Sequence, residues 1–141
     1  MGMECLLAKD KQYAEMITHT NMSQYYRQYG ISWDDEMFDN TWEHFDNYEI
    51  FDHQQRVGVV RFSRTGDVIY LRDLQIEALY QNKGLGQQVI RWAKGYAVTH
   101  GATSLNLRVF PSNPAIALYK REGFTQVGQV NKLMEMTCPI A

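Results

Sequence analysis

Apolar and polar positions along this chain repeat with periods that predict its elements one after another. "ECLLA" reads as a short first strand. From Asp10 to about His19, Tyr13, Met16 and Ile17 share one helical face. A second helix is predicted over Asp34 to Asp46, with Met37, Phe38, Thr41, Trp42 and Phe45 as its apolar stripe. Acids crowd its first turn, where the helix dipole favours them. "YEIFDH" and "RVGVVRFS" read as strands joined by a polar turn, and "VIYLRDLQI" follows the turn signal Thr65-Gly66-Asp67. Leu85, Val89, Trp92, Ala93, Tyr96 and Ala97 then recur at helical spacing, and Gly101 stands where a helix C-terminus wants a glycine. "SLNLRVF" is the next strand. Asn113-Pro114 opens another helix, because Asn caps and proline suits the first helical position; Gly123 ends it. "FTQVGQV" and "KLMEMTC" close the chain as two strands, expected to pair antiparallel. The order is strand, helix, helix, three strands, helix, strand, helix, two strands. That is a mixed α/β sheet with crossovers through the helices at 85–100 and 114–122.

Length and composition add a few exclusions. At 141 residues, without a repeat or a Pro/Ser-rich linker, the chain suits one domain over residues 1–141. No apolar run approaches the roughly 20 residues a membrane span needs, and the N-terminus has no signal-peptide pattern, so a cytoplasmic location is expected. Cys5 and Cys138 lie near opposite ends, which argues against a disulfide framework and a zinc site. His19, His44, His53 and His100 show no i, i+4 pairing, and no metal is expected.

Net charge is only −2, but it is unevenly spread. From Gln28 to Gln55 there is no Lys or Arg, only acids from Asp34 to Asp52. From Ala78 to Arg121 there is no Asp or Glu, only Lys83, Arg91, Lys94, Arg108, Lys120 and Arg121 among charged residues. Either these are two solvated faces, or one region suits a cationic ligand and the other an anionic one.

The chemistry begins at "QNKGLG", Gln81 to Gly86. A glycine turn feeding a helix N-terminus presents free N–H groups and the positive end of a dipole to an anion. Lys83 precedes its glycine and no Ser or Thr follows, which excludes a P-loop. Val89 and the missing acid about 20 residues later exclude a Rossmann turn. What remains is [Q/R]-x-x-G-x-[G/A] between a strand and a helix. Gln81, Gly84 and Gly86 match it.

Within "LRDLQIEALYQNKGLG" this pattern resembles motif A of the GNAT superfamily, the acyl-CoA-dependent N-acetyltransferases. About twenty residues beyond the glycines, "LNLRVFPSNPAIALYKREGF" resembles motif B of the same family. The likeness covers about Val57 to Val130; residues 1–55 match in element order alone. It implies a central, mostly antiparallel sheet with a splayed parallel β4–β5 pair, the fourth and fifth strands "VIYLRDLQI" and "SLNLRVF", flanked by about four helices. It implies acetyl-CoA as cofactor, its pyrophosphate cradled by the amides of Gln81, Asn82, Lys83, Gly84, Leu85 and Gly86, with Lys83, Arg91 and Lys120 screening phosphate charge. Backbone groups of Leu74, Gln75 and Ile76 would meet the pantetheine arm between the splayed strands, one N–H polarising the thioester oxygen. Asn113 matches a residue that hydrogen-bonds the arm. Tyr119 matches the general-acid position; a phenol of pKa about 10 can protonate a nascent thiolate of about 8.5. The general base stays open between Asp73, Glu77 and water, because the usual carboxylate positions fall near Tyr70 and on Arg108.

The acceptor side is expected from the segment between the first two helices, which lines that pocket in the family: Tyr25, Tyr26, Tyr29 and Trp33. Their faces can hold a cation, and the neighbouring acids would attract one. The acceptor is therefore read as a small-molecule or peptide amine. Two rivals stand beside an N-acetyltransferase. One is a catalytically silent acyl-CoA sensor, supported by Arg108 where a carboxylate is usual. The other is a nucleic-acid-binding domain, against which the net negative charge argues. Neither a nucleic acid nor a membrane is expected as partner, and the β-rich C-terminus is compatible with a homodimer.

Overall fold

The computed structural model describes residues 2–140. Its elements are β1 (Met3–Leu7), α1 (Lys11–Gln28), α2 (Asp35–His44), β2 (Asp46–Asp52), β3 (Gln55–Thr65), β4 (Val68–Ile76), a 3-10 turn (Ala78–Tyr80), α3 (Leu85–Thr99), β5 (Ser104–Val109), α4 (Ala115–Arg121), β6 (Thr125–Val130) and β7 (Leu133–Pro139). This is the order the periodicity predicts. The seven strands form one sheet, ordered β1-β2-β3-β4-β5-β7-β6. Every neighbouring pair is antiparallel except β4 and β5, which are parallel because α3 carries the chain across.

The main core lies on one sheet face, where Phe62, Leu71, Val89, Ala93, Leu105 and Met136 are buried together. Tyr13, Ala14, Ile17, Phe38 and Val59 form a smaller core on the other face, beneath α1 and α2. Both helices begin on an Asp cap: Asp10 accepts from the N–H of Tyr13 and Asp34 from that of Met37, each at 3.0 Å. No helix among the described residues is long and apolar enough to cross a membrane. Cys5 and Cys138 are both free thiols; Cys138 is buried, and burial pushes the Cys5 thiol up to about 12.

Two expectations need correction. The first helix does not stop near His19 but runs to Gln28. Apolar periodicity lapses after Ile17 because the inward face continues in polar and aromatic residues. Thr18 bonds the Ala14 carbonyl at 2.8 Å, and Asn21 bonds β4. Tyr25 and Tyr26 therefore stand on α1 rather than in an inter-helix segment. Met16, placed on the buried face by its spacing, is 58% exposed, and Met37 likewise points outward.

Gly58 shows how closely β3 and β4 approach. A Cβ there would lie 2.1 Å from the Gln75 carbonyl oxygen. Gly58→Ala must push the strands apart, and we expect it to cost about 2–3 kcal/mol. A lower urea midpoint at unchanged slope would register this; a wild-type midpoint would show that the strands have slack.

Candidate active site

β4 and β5 pair only from Val68↔Ser104 to Leu71↔Leu107. Beyond that β4 runs on to Ile76 along β3, and β5 follows β7, so the two strands part in a fork. The fork starts at a bulge. Arg61 faces Asp73 and Phe62 faces Leu71, which leaves Arg72 as the extra residue of β4. The Glu77 N–H bonds Val57 O at 2.8 Å. Ladder alternation then aims the peptide groups of Gln75 and Asp73 at β3 and those of Leu74 and Ile76 into the fork. The Ile76 carbonyl is already held, by Asn21 Nδ2 at 3.0 Å and Gln81 Nε2 at 2.8 Å. Leu74 thus offers both its N–H and its carbonyl to whatever enters.

The Gln81 bond ties the glycine loop to the end of β4. Gly84, at φ 85°, is the left-handed residue that turns the loop into α3. Gly86 lets α4 approach, since a Cβ there would meet Leu118 Cδ2 at 3.0 Å. Among the described residues, the N–H groups of 82–87 find no protein acceptor. They form a run of donors at a helix N-terminus, the arrangement that suits an anion. Lys83, within the loop, and Lys120, on α4, are exposed and form no ion pair among the described residues. Arg91 is otherwise engaged: its Nε bonds Glu122 at 3.1 Å, alongside Gln87 and Lys94, clamping α3 to the end of α4.

Tyr119, on α4, is only 9% exposed, and its ring packs edge-on against Phe124. Its phenol has no hydrogen-bond partner among the described residues, yet no fully buried side-chain polar atom lacks one. The oxygen must therefore reach accessible space. Burial, then the charge of Asp73, then Tyr25 push this phenol up to about 12. Asp73 is bonded to the buried Arg61 at 3.0 Å rather than paired at the surface. Its other oxygen has only a long bond from Gln75, 3.3 Å. Burial raises the Asp73 pKa against the pull of Arg61, and the same carboxylate raises Tyr26 after burial. Tyr119 and Tyr26 thus both sense the charge of Asp73. Glu77, the other carboxylate in question, accepts from the Tyr13 phenol at 2.6 Å.

Phe110, just past β5, gathers the tyrosines. Tyr29 stacks on it at 4.7 Å and Tyr25 at 5.7 Å, while Tyr26 meets its edge at 6.1 Å. Tyr29 also bonds Ser112 at 3.1 Å, which docks the end of α1 on the β5–α4 turn. Trp33 stands to one side, bonded to Asp35 and packed between His19 and Phe38, and meets this group at Tyr26, with ring centroids 5.8 Å apart. Asn113 caps α4 through Oδ1, 2.9 Å from the Ala115 N–H, which leaves its amide nitrogen free to donate. The acidic run does not gather into a ligand face. Asp39 pairs with Lys11, Asp46 takes the Tyr96 phenol and Glu49 pairs with Arg56.

Comparison with known proteins agrees with this geometry. The sequence model of the acetyltransferase (GNAT) family matches residues 14–124. No curated protein matches the sequence. Among solved structures, a Bacillus subtilis acetyltransferase in complex with CoA is 14% identical, with a TM-score of 0.81 and 99% of each chain covered. PaiA N-acetyltransferase from Thermoplasma acidophilum, in complex with coenzyme A, is 13% identical at a TM-score of 0.71, again over 99% of each chain. The ribosomal-protein-S18-alanine N-acetyltransferase of Escherichia coli is 20% identical at 0.72, over 99% of this chain and 94% of that one. At these identities the likeness is one of fold.

Proposed function

Because this chain belongs to the acetyltransferase (GNAT) family, we propose that it moves an acetyl group from acetyl-CoA to a primary amine of a small molecule or peptide, with both substrates bound together. The observation that carries this reading is the fork and what lies at its ends. The amides of 82–87, without an acceptor among the described residues, are tied through Gln81 to β4, Leu74 opens its peptide into the gap, and the Tyr119 phenol, likewise without a partner among those residues, reaches accessible space.

These groups fit coenzyme A. A diphosphate suits the loop amides and the α3 dipole. An amide-bearing arm suits Leu74, which would pair with it as with one more strand. Lys83 and Lys120 are free to meet phosphate, and the Asn113 amide can donate to the arm. Bound acetyl-CoA supplies the acyl carbon that the amine nitrogen takes as the C–S bond breaks. The Leu74 N–H is placed to donate to the acyl oxygen. Tyr119 Oη holds a proton for the sulfur. Asp73 is the carboxylate we assign to the amine proton, directly or through a water, since Glu77 is occupied by Tyr13. A carboxylate whose pKa is raised by burial is a better base than an exposed one. Tyr25, Tyr26 and Tyr29 wall the acceptor side.

A thiol-release assay with acetyl-CoA against amines, amino acids and peptides, run beside calorimetry, tests this. We expect acetyl-CoA to bind and one acceptor class to release thiol. Binding without release across the panel would favour the sensor that Arg108 suggests. Absence of acetyl-CoA binding would sink both readings.

A further inference from the structure

Two arginines flank the point where β4 and β5 part. Leu71 and Leu107 are the last paired residues, so Arg72 and Arg108 come next on each strand. The bulge brings Arg72 to the face that Asp73 occupies. Its guanidinium stands 5.0 Å from the Phe45 ring, as does that of Arg61, the partner of Asp73. Arg108 lies 5.4 Å over the Tyr70 ring, and both arginines are exposed. Burial and then the charge of Arg108 hold the Arg72 pKa below its ordinary value. Arg108 pairs with Glu135 at 3.1 Å, while Arg72 forms no ion pair within 4.0 Å among the described residues. Arg108 is matched by Glu135 and Arg61 by Asp73, so the charge of Arg72 is left in excess at the fork, and planar guanidiniums match carboxylate and phosphate oxygens.

We propose that Arg72 and Arg108 bind an anionic group of the acceptor, a carboxylate or phosphate carried a few bonds from the reacting amine. The proposal rests on the acetyltransferase reading. Its reach follows from strand geometry. Leu74 is two residues from Arg72, roughly 7 Å along β4. An anion held at the fork and an amine near the Leu74 peptide therefore belong to one small molecule or one chain terminus. This replaces the expectation of a cationic acceptor drawn to the acidic run, whose members are scattered over α2 and β2, with Asp39, Glu49 and Asp52 held by Lys11, Arg56 and His53.

The full chain is assayed for thiol release at low ionic strength with matched acceptors: glycine against glycinamide, and O-phosphoethanolamine against ethanolamine. We expect the anionic member of at least one pair to show a kcat/KM at least tenfold above its neutral partner, with added salt shrinking the gap. Glycine and phosphoethanolamine, as the winning member, separate carboxylate from phosphate, and either result supports the site. Arg72→Met should bring the ratio within about threefold, and Arg108→Met should lower it in the same direction. A readout independent of turnover is thermal stability. The preferred anionic acceptor should raise the Tm of the CoA-loaded wild type and not that of Arg72→Met. Equal turnover within both pairs, or an unchanged ratio in both variants, overturns the proposal. Failure of every amine to release thiol, with the Tm rise intact, would instead overturn the acetyltransferase reading and leave the anion site standing.

Discussion

Tyr119→Phe is expected to lower kcat for acetyl transfer roughly 10²-fold while acetyl-CoA affinity stays within about twofold. Phenylalanine keeps the ring that packs on Phe124 and removes only the oxygen, which has no partner among the described residues. The direction of the pKa shift sharpens the prediction. Burial, Asp73 and Tyr25 favour the neutral phenol, pushed up to about 12, so its proton is in place at every working pH. Any loss of rate between pH 8 and 11 belongs to another group and should persist in the variant's residual activity. The same shift places the phenol about 3–4 units above an ordinary thiol, about 5 kcal/mol. On the proposed mechanism, Tyr119 would therefore act chiefly by hydrogen bonding to sulfur as charge develops there. A variant with wild-type kcat would remove Tyr119 from the chemistry. A variant that loses affinity as steeply as rate would make it a packing residue.

Arg61→Ala should destabilise the fold by about 3–5 kcal/mol, the cost of stranding one member of a buried pair. Arg61 is 1% exposed. It bonds Asn47 at 2.8 Å, Thr41 at 2.9 Å and Asp73 at 3.0 Å, and lies over the rings of Phe38 and Phe45. Removing it leaves Asp73 with only the long bond from Gln75. The pH dependence has a definite sign. Burial already raises Asp73, and without Arg61 it rises further. A raised carboxylate favours the fold while protonated, and that contribution is lost as pH climbs from the ordinary aspartate range through the raised value. The deficit of the variant should therefore shrink toward acid pH. Urea melts at several pH values would show it, and Asp73→Asn in the same background should recover part of the loss. A pH-independent deficit with no recovery would mean that the packing of Arg61, rather than its charge, is what matters.

Much of this fold was legible in the chain because its periodic runs are unbroken. "VIYLRDLQI" becomes β4 residue for residue, and the glycines at 84 and 86 announce the loop by what they omit. The fork was expected from the family resemblance, and the register shows where it opens. The second half of α1 was hidden because its inward side chains are Thr18, Asn21 and tyrosines, which carry no hydrophobic rhythm. Arg61 sits in a strand buried at every position from Val57 to Phe62, and nothing in "RVGVVRFS" says that the second of its two arginines turns inward. Asp73 and Glu77 could not be told apart without the bulge at Arg72 and the phenol of Tyr13. Arg91 looked like a phosphate ligand until Glu122, 31 positions away, came within 3.1 Å.

The two cysteines bear on how this protein can be studied. Cys138 is buried out of a reagent's reach, and burial lifts the Cys5 thiol to about 12, so that Cys5 holds almost no thiolate near neutral pH. A chromogenic disulfide reagent added to the native chain should register nearly nothing until the fold opens. The chain is thus a dark background against which coenzyme A, as it is freed, supplies the colour, and slow bleeding of signal from enzyme alone becomes a direct clock for unfolding.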